Sequence, residues 1–188
     1  NLGDGEHALF TLAASIARQL LGDTATLDYD QFLAKRPAKP DAVFSWHQDL
    51  GYWPTGTPDT LTATCSLALD DADEENGCLR VVPGSQALGL RPHRPLLGED
   101  RAASHILSVE LTDDDEVVEL PLRRGDITVH DELIIHGSGG NRSGNRWRRT
   151  YIVAFRSKAC VEYERGIGFT HSHNDAINWE THLGALSA

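Results

Sequence analysis

The chain has 188 residues, 40% of them apolar, and a formal charge of −11 with a pI near 5.1. That length suits one domain with its own core. The acidity argues against nucleic acid or an anionic membrane surface as partner, since both are polyanions, and leaves a small molecule as the expected one. No apolar run reaches membrane-spanning length, and Asn1-Leu2-Gly3-Asp4 lacks the charged start and apolar stretch of a signal peptide. Cys65, Cys78 and Cys160 are odd in number and widely spaced. They read as small buried residues in a reducing, cytoplasmic compartment rather than as a disulfide framework or a zinc site.

Residues 6–21 carry Leu9, Leu12, Ala13, Ile16, Leu20 and Leu21 at helical spacing, with Gly22 as a stop, and predict an amphipathic helix. From Thr24 the texture changes to short β-rich runs punctuated by Pro and Gly: 25–33, 42–49, 61–69, 78–82, 105–111, 117–120, 126–129 and 148–155. Many short strands without intervening helices argue for a sandwich or barrel, and a double-sheet jelly roll is the natural architecture. Residues 70–76 form an acidic turn ending in Asn76-Gly77, a reversal signal. Residues 86–101 form a polar loop long enough to be a lid or to carry substrate contacts. After Arg156 the periodicity is weak, with a terminal helix expected over 178–186.

The chemistry concentrates in His47-Gln48-Asp49. In an extended strand alternate side chains share a face, so His47 and Asp49 project together, roughly 6–7 Å apart at the backbone. Alone, such a pair is more often a satisfied hydrogen bond than a metal site. Downstream, Leu133-Ile134-Ile135 leads to His136 and a glycine-rich exit, which lets the imidazole aim inward while the backbone turns away. Two histidines and one carboxylate on one face of an ion leave the opposite positions open, the arrangement of non-haem Fe(II) oxygenases. His130 competes with His136, but its position between Val129 and an acidic pair reads as a loop or surface histidine, or one behind the ligands. Arg146, Arg148 and Arg149 crowd one segment. Strand alternation puts Arg148 with Thr150, Ile152 and Ala154 on one face and Arg149 with Tyr151, Val153 and Phe155 on the other, so one arginine can enter a barrel and grip a carboxylate bidentately.

Three strings occur in order: Trp46-His47-Gln48-Asp49-Leu50-Gly51-Tyr52-Trp53-Pro54, Glu75-Asn76-Gly77-Cys78-Leu79-Arg80-Val81-Val82-Pro83-Gly84-Ser85 and His136-Gly137-Ser138-Gly139-Gly140-Asn141-Arg142-Ser143. Together they resemble the phytanoyl-CoA dioxygenase family of iron(II)- and 2-oxoglutarate-dependent oxygenases, which fold as a double-stranded β-helix. The resemblance spans about residues 25–160. It implies that His47, Asp49 and His136 hold Fe(II), and that an arginine after His136, helped by Ser138, binds 2-oxoglutarate. The family's usual spacing would put that arginine at Trp147. Arg148 is the expected substitute because, as in the family, it directly precedes another basic residue and then the last core strand, with Arg146 and Arg149 as alternatives.

Lys35 occupies a stretch where family members often contact the co-substrate, against the plainer reading of an exposed lysine at a strand end. Ser66 is a further candidate for the pocket wall, or simply a small buried residue. Tyr52-Trp53 could wall the substrate site or only pack, and His171 with His173 could bind a second metal or belong to a solvated tail. The expected plan is one domain: a flanking helix at 1–22, a core at 25–160 and a tail at 161–188, with the family's N-terminal strand and helix absent or outside this chain.

The resemblance implies a reaction that takes O2 and 2-oxoglutarate and releases succinate and CO2. Asp49 favours hydroxylation, because halogenating relatives carry a small residue there; desaturation, epoxidation and cyclisation remain open. Two other readings stand beside it, a cupin-like metalloenzyme that does not use 2-oxoglutarate and a non-catalytic jelly-roll binding module.

Overall fold

The computed structural model describes residues 8–96 and 106–172. Helix α1 (Ala8–Leu21) is followed by β1 (Ala25–Lys35), β2 (Phe44–His47), a 3-10 turn (Asp49–Tyr52), β3 (Thr62–Ala68) and β4 (Leu79–Val81). After a second 3-10 turn (Ser85–Leu88) come β5 (Arg94–Pro95), β6 (Leu107–Ser108), β7 (Val118–Leu120), β8 (Ile127–His130), β9 (His136–Ser138), β10 (Arg148–Ser157) and α2 (Lys158–Gly166). The strands form two antiparallel four-stranded sheets, ordered β1-β10-β3-β8 and β2-β9-β4-β7, beside the short β5-β6 pair. This is the expected jelly roll.

The main apolar core lies outside the barrel, between α1 and the outer face of the larger sheet. Ala13, Ala14 and Ala17 pack there on Ala63, Cys65, Val153 and Phe155. The helix therefore buries its alanines, whereas Leu12 and Leu20, expected on the buried face, are 50% and 62% exposed. Alanines let the helix axis approach the sheet closely, a contact that larger leucines on the same stripe would prevent.

The inner face of the larger sheet is the polar one. In β10, Val153 and Phe155 face α1, while Arg148, Thr150 and Ile152 face the cleft between the sheets. In β3, Thr64 and Ser66 face the cleft and Ala63 and Cys65 face α1. Strand β1 reaches the same polarity by a bulge. A register shift between Leu27 and Tyr29 drops Asp28 out of the ladder, so Ala25 and Leu27 pack under α1 while Tyr29, Gln31 and Leu33 line the cleft.

Several expected boundaries change. Strand 42–49 stops at His47, and Asp49 opens a 3-10 turn. The turn lies before His136 rather than directly after it: the Asp131 carboxylate accepts the Leu133 and Ile134 amides, and β9 runs from His136 to Ser138. The segment read as an aperiodic tail contains α2, capped by Ser157, whose side chain accepts from the Cys160 amide. Its inward positions include a buried glutamate, Glu164, so no apolar period marks it. The expected helix at 178–186 and His173 lie outside the described residues. No helix among the described residues is long and apolar enough to cross a membrane.

Candidate functional site

His47 and His136 are antiparallel register partners at the ends of β2 and β9, which places their rings 4.3 Å apart. Gln48 holds the intervening geometry. Its backbone is extended (φ −116°, ψ 134°), so its side chain points away from those of His47 and Asp49. The Gln48 amide is fully buried, where its nitrogen donates to Gly89 O and Leu133 O and its oxygen accepts from the Arg91 amide. The 3-10 turn then keeps Asp49 beside the two histidines. One ligand atom from each of His47, Asp49 and His136 lies within 4.8 Å of the others.

The tautomers are set by the backbone. His47 Nδ1 lies 2.7 Å from Ser45 O and His136 Nδ1 lies 3.0 Å from Ile134 O. A carbonyl only accepts, so each Nδ1 carries a proton and each Nε2 is the atom that faces Asp49. Asp49 Oδ1 is 3.6 Å from both Nε2 atoms. Burial, followed by repulsion from His47, pushes the His136 imidazolium down to about 3, so this ring is a neutral donor. Burial alone would raise the Asp49 pKa, but His136, His130 and His47 outweigh it and hold the carboxyl well below its usual range. Two imidazoles and one anionic carboxylate, converging in a partly buried pocket, fit a divalent transition metal.

Gly137, between His136 and Ser138, lets β2 pass close. A Cβ there would stand 2.9 Å from Phe44 O. A side chain at this position would push apart the two strands that carry the histidines.

From the three ligands a cleft of about 600 Å³, counting its solvent-open part, runs along the inner face of the larger sheet to Arg148. Arg148 and Lys35 are register partners on β10 and β1, and both are buried. Lys35 Nζ donates to Ser138 Oγ at 2.6 Å and to the Gly139 carbonyl. Burial, with Arg148 and Arg80 nearby, pushes Lys35 down to about 7, and burial also lowers Arg148. Lys35 is therefore inside the site rather than an exposed strand end. Ser66 lines the same cleft from β3.

The other two arginines are committed elsewhere. Arg146 pairs with Asp73 and Glu75, and Arg149 pairs with Asp70. Tyr52 packs edge-on against His47 at 5.4 Å, while Trp53 is buried beneath Arg156, 3.9 Å from its guanidinium. His171 is not part of a solvated tail: its Nε2 lies 2.8 Å from Asp28 Oδ2. Asp28, Glu164 and His171 form a second cluster with metal-like spacing, but Arg165 grips Asp28 at 2.6 Å and Arg156 binds Glu164, so guanidinium groups already neutralise it.

Sequence reasoning placed His130 in a loop. It is the last residue of β8, its side chain is 8% exposed, and its Nε2 stands 3.6 Å from Asp49 Oδ2. The missed signal was alternation: Thr128 and His130, like Thr64 and Ser66, are polar at every second position of a strand, which marks a polar inner face. Thr64 Oγ1, Thr128 Oγ1, both His130 nitrogens and Arg148 Nε are all buried without a hydrogen-bond partner. Buried polar atoms of this kind call for a ligand, ion or water.

Residues 4–150 match the family model described as Phytanoyl-CoA dioxygenase (PhyH). The chain is 35% identical over 115 residues to the peroxisomal phytanoyl-CoA dioxygenase of Rattus norvegicus, covering 61% of this chain and 33% of that protein. It is 31% identical over 149 residues to L-proline trans-4-hydroxylase of Streptomyces griseoviridis, covering 70% of this chain and 54% of that protein. The crystal structure of EvdO2 from Micromonospora carbonacea var. aurantiaca complexed with 2-oxoglutarate superimposes with a TM-score of 0.67 at 29% identity, covering 81% of this chain and 61% of that one. The chain spans about a third to a half of the length of the curated relatives it matches. On this match and on the jelly roll that carries His47, Asp49 and His136, the chain belongs to the phytanoyl-CoA dioxygenase family.

Proposed function

We propose that this chain forms the catalytic core of an Fe(II)- and 2-oxoglutarate-dependent dioxygenase that hydroxylates a small-molecule metabolite, using O2 and releasing succinate and CO2. The observation that carries the reading is the pairing of two sites in one cleft. A two-histidine, one-carboxylate cluster lies at one part of it and Arg148 at another, where the buried Lys35, its register partner, bonds Ser138 of the cleft wall. Among the described residues neither cation is ion-paired with a carboxylate. Buried charges are normally paired, so this arrangement asks for an anionic ligand. A cupin-like metal site without 2-oxoglutarate, or a binding module with a structural His–Asp pair, gives no reason for those two cations.

His47, Asp49 and His136 would hold the iron, which when bound supplies the redox chemistry that spends dioxygen on the keto acid and the substrate. The protein does the rest. Neutral His136 and anionic Asp49 provide ligands without losing a proton first. Arg148 offers a planar fork to the distal carboxylate, Lys35 a second positive charge, and the hydroxyls of Ser138 and Ser66 further hydrogen bonds. Three buried unpaired thiols support a cytoplasmic, reducing location.

Anaerobic titration with Fe(II) and then 2-oxoglutarate tests the reading. A weak visible charge-transfer band from the chelated keto acid, and succinate release dependent on added 2-oxoglutarate, are expected. Metal binding without that band would favour the cupin-like alternative, and no metal binding would favour the binding module.

A further inference from the structure

We propose that His130 is a positioning residue for Asp49. In this role it donates a hydrogen bond from Nε2 to Oδ2 so that Oδ1 alone is presented to the metal. The inference rests on the metal centre proposed above and concerns a residue outside the ligand set.

The two oxygens of Asp49 are divided between different neighbours. Oδ1 faces His47 Nε2 and His136 Nε2, each at 3.6 Å, whereas Oδ2 faces His130 Nε2 at 3.6 Å. The donor atoms that lie within 4.8 Å of one another come from His47, Asp49 and His136 and leave His130 out. His130 thus meets the carboxylate through its other oxygen, with its own ring packed 4.6 Å from that of His136.

The backbone separates the three histidines by tautomer. His47 and His136 each have a carbonyl on Nδ1, which forces the proton there and makes Nε2 an acceptor toward a metal. His130 has no such tether: both of its nitrogens are buried without a hydrogen-bond partner. Nothing on Nδ1 therefore keeps the proton from Nε2, and a ring with its proton there can donate to a carboxylate and cannot bind a metal through that atom. A movement of about 0.6 Å brings the 3.6 Å contact to about 3.0 Å, the usual N–H···O distance.

Strand pairing fixes the ring's place. His130 is the register partner of Thr64 on β3, in the polar inner row. Leu50, next to Asp49, donates its amide to Glu132 O, two residues beyond His130. The Asp49 turn and the end of β8 are thus tied together beside the contact. Partners of this kind orient a ligand, and removing one typically weakens metal binding about 10- to 100-fold.

The test is Mn(II) titration of the metal-free protein, followed by loss of the free-ion electron paramagnetic resonance signal, alongside thermal melting of the metal-free forms. His130→Leu is expected to weaken Mn(II) binding at least about tenfold with no fall in the metal-free melting temperature. His130→Gln, which keeps an N–H donor on a shorter stem, is expected to stay within about threefold of wild type. Wild-type affinity in the Leu variant would overturn the proposal. So would equal loss in both variants, which would point to a ligand role, or a lowered metal-free melting temperature in both, which would point to a purely structural one. Absence of Mn(II) binding by the unaltered protein would overturn the metal centre itself, an outcome distinct from any defect confined to the variants.

Discussion

Lys35 and Arg148 stand opposite one another where β1 and β10 pair, both turned inward, and Lys35 reaches across to Ser138 on the other sheet. Two buried cations side by side repel one another, and the depressed Lys35 pKa records that cost together with burial. A dicarboxylate bound here would relieve it.

Arg148→Ala is therefore expected to raise the 2-oxoglutarate concentration for half-saturation about 10- to 100-fold, the equivalent of a lost charged hydrogen bond of about 1.5–3 kcal/mol. Arg149→Ala, on the outer face and tied to Asp70, should leave it within about twofold. Calorimetric titration of the metal-loaded protein measures both. The same defect in Arg149→Ala alone would show that the arginine assignment is wrong.

Binding of 2-oxoglutarate should depend on pH through Lys35. In the free protein this amine loses its proton at about 7, and a bound carboxylate favours the charged form, so binding takes up a proton above that pH. Affinity should be level below pH 7 and fall above it, by up to about tenfold per unit. Lys35→Met should bind more weakly and lose this dependence. An affinity for the unaltered protein that does not change between pH 6.5 and 8.5 would contradict it.

Replacement of His47, Asp49 or His136 by Ala should abolish metal-dependent stabilisation without unfolding the metal-free chain. A metal at 100 times its dissociation constant stabilises the folded state by about 2.7 kcal/mol. The unaltered protein should accordingly melt higher with Mn(II) than with chelator, and the three variants should show no difference. A variant that kept the full shift would remove its residue from the ligand set.

The contact between His171 and Asp28 should make stability pH-dependent. Burial pushes the His171 imidazolium down, but hydrogen bonds to Asp28 and Glu164 prevail and raise it above the ordinary 6.5. Burial pushes Asp28 up, but His171 and Arg165 prevail and hold it below the ordinary 3.8. The histidine's contribution is complete below pH 6.5 and disappears as pH rises through its folded value. The aspartate's is complete above 3.8 and disappears as pH falls through its own lower one. His171→Ala should cost about 1.5–3 kcal/mol at pH 5.5 and less at pH 8.5 in urea unfolding. An equal cost at both pH values would disprove the linkage.

Much of the site was legible in the chain. His47 and Asp49 flank one residue that must point away, the alternation of β10 separates Arg148 from Arg149, and the strings around His47, Gly77 and His136 carry the family. Local periodicity also marked α1 and most strands. It failed where a local hydrogen bond or an inward charge replaced the apolar pattern, as at the Asp131-capped turn before His136 and at Glu164 in α2.

Sequence alone determined the candidate ligand types, their order and the jelly roll, because side-chain chemistry and a period of two are local properties of the chain. Only the tertiary structure decided which cations are free. Arg146 and Arg149 are neutralised by carboxylates more than seventy positions away in the chain, and Lys35 finds Ser138 at a separation of 103. The same holds for His130 beside Asp49 and for the bulge at Asp28 that turns Tyr29 and Gln31 inward. Strand register and long-range charge pairing are set when distant segments meet, and no local spacing encodes them.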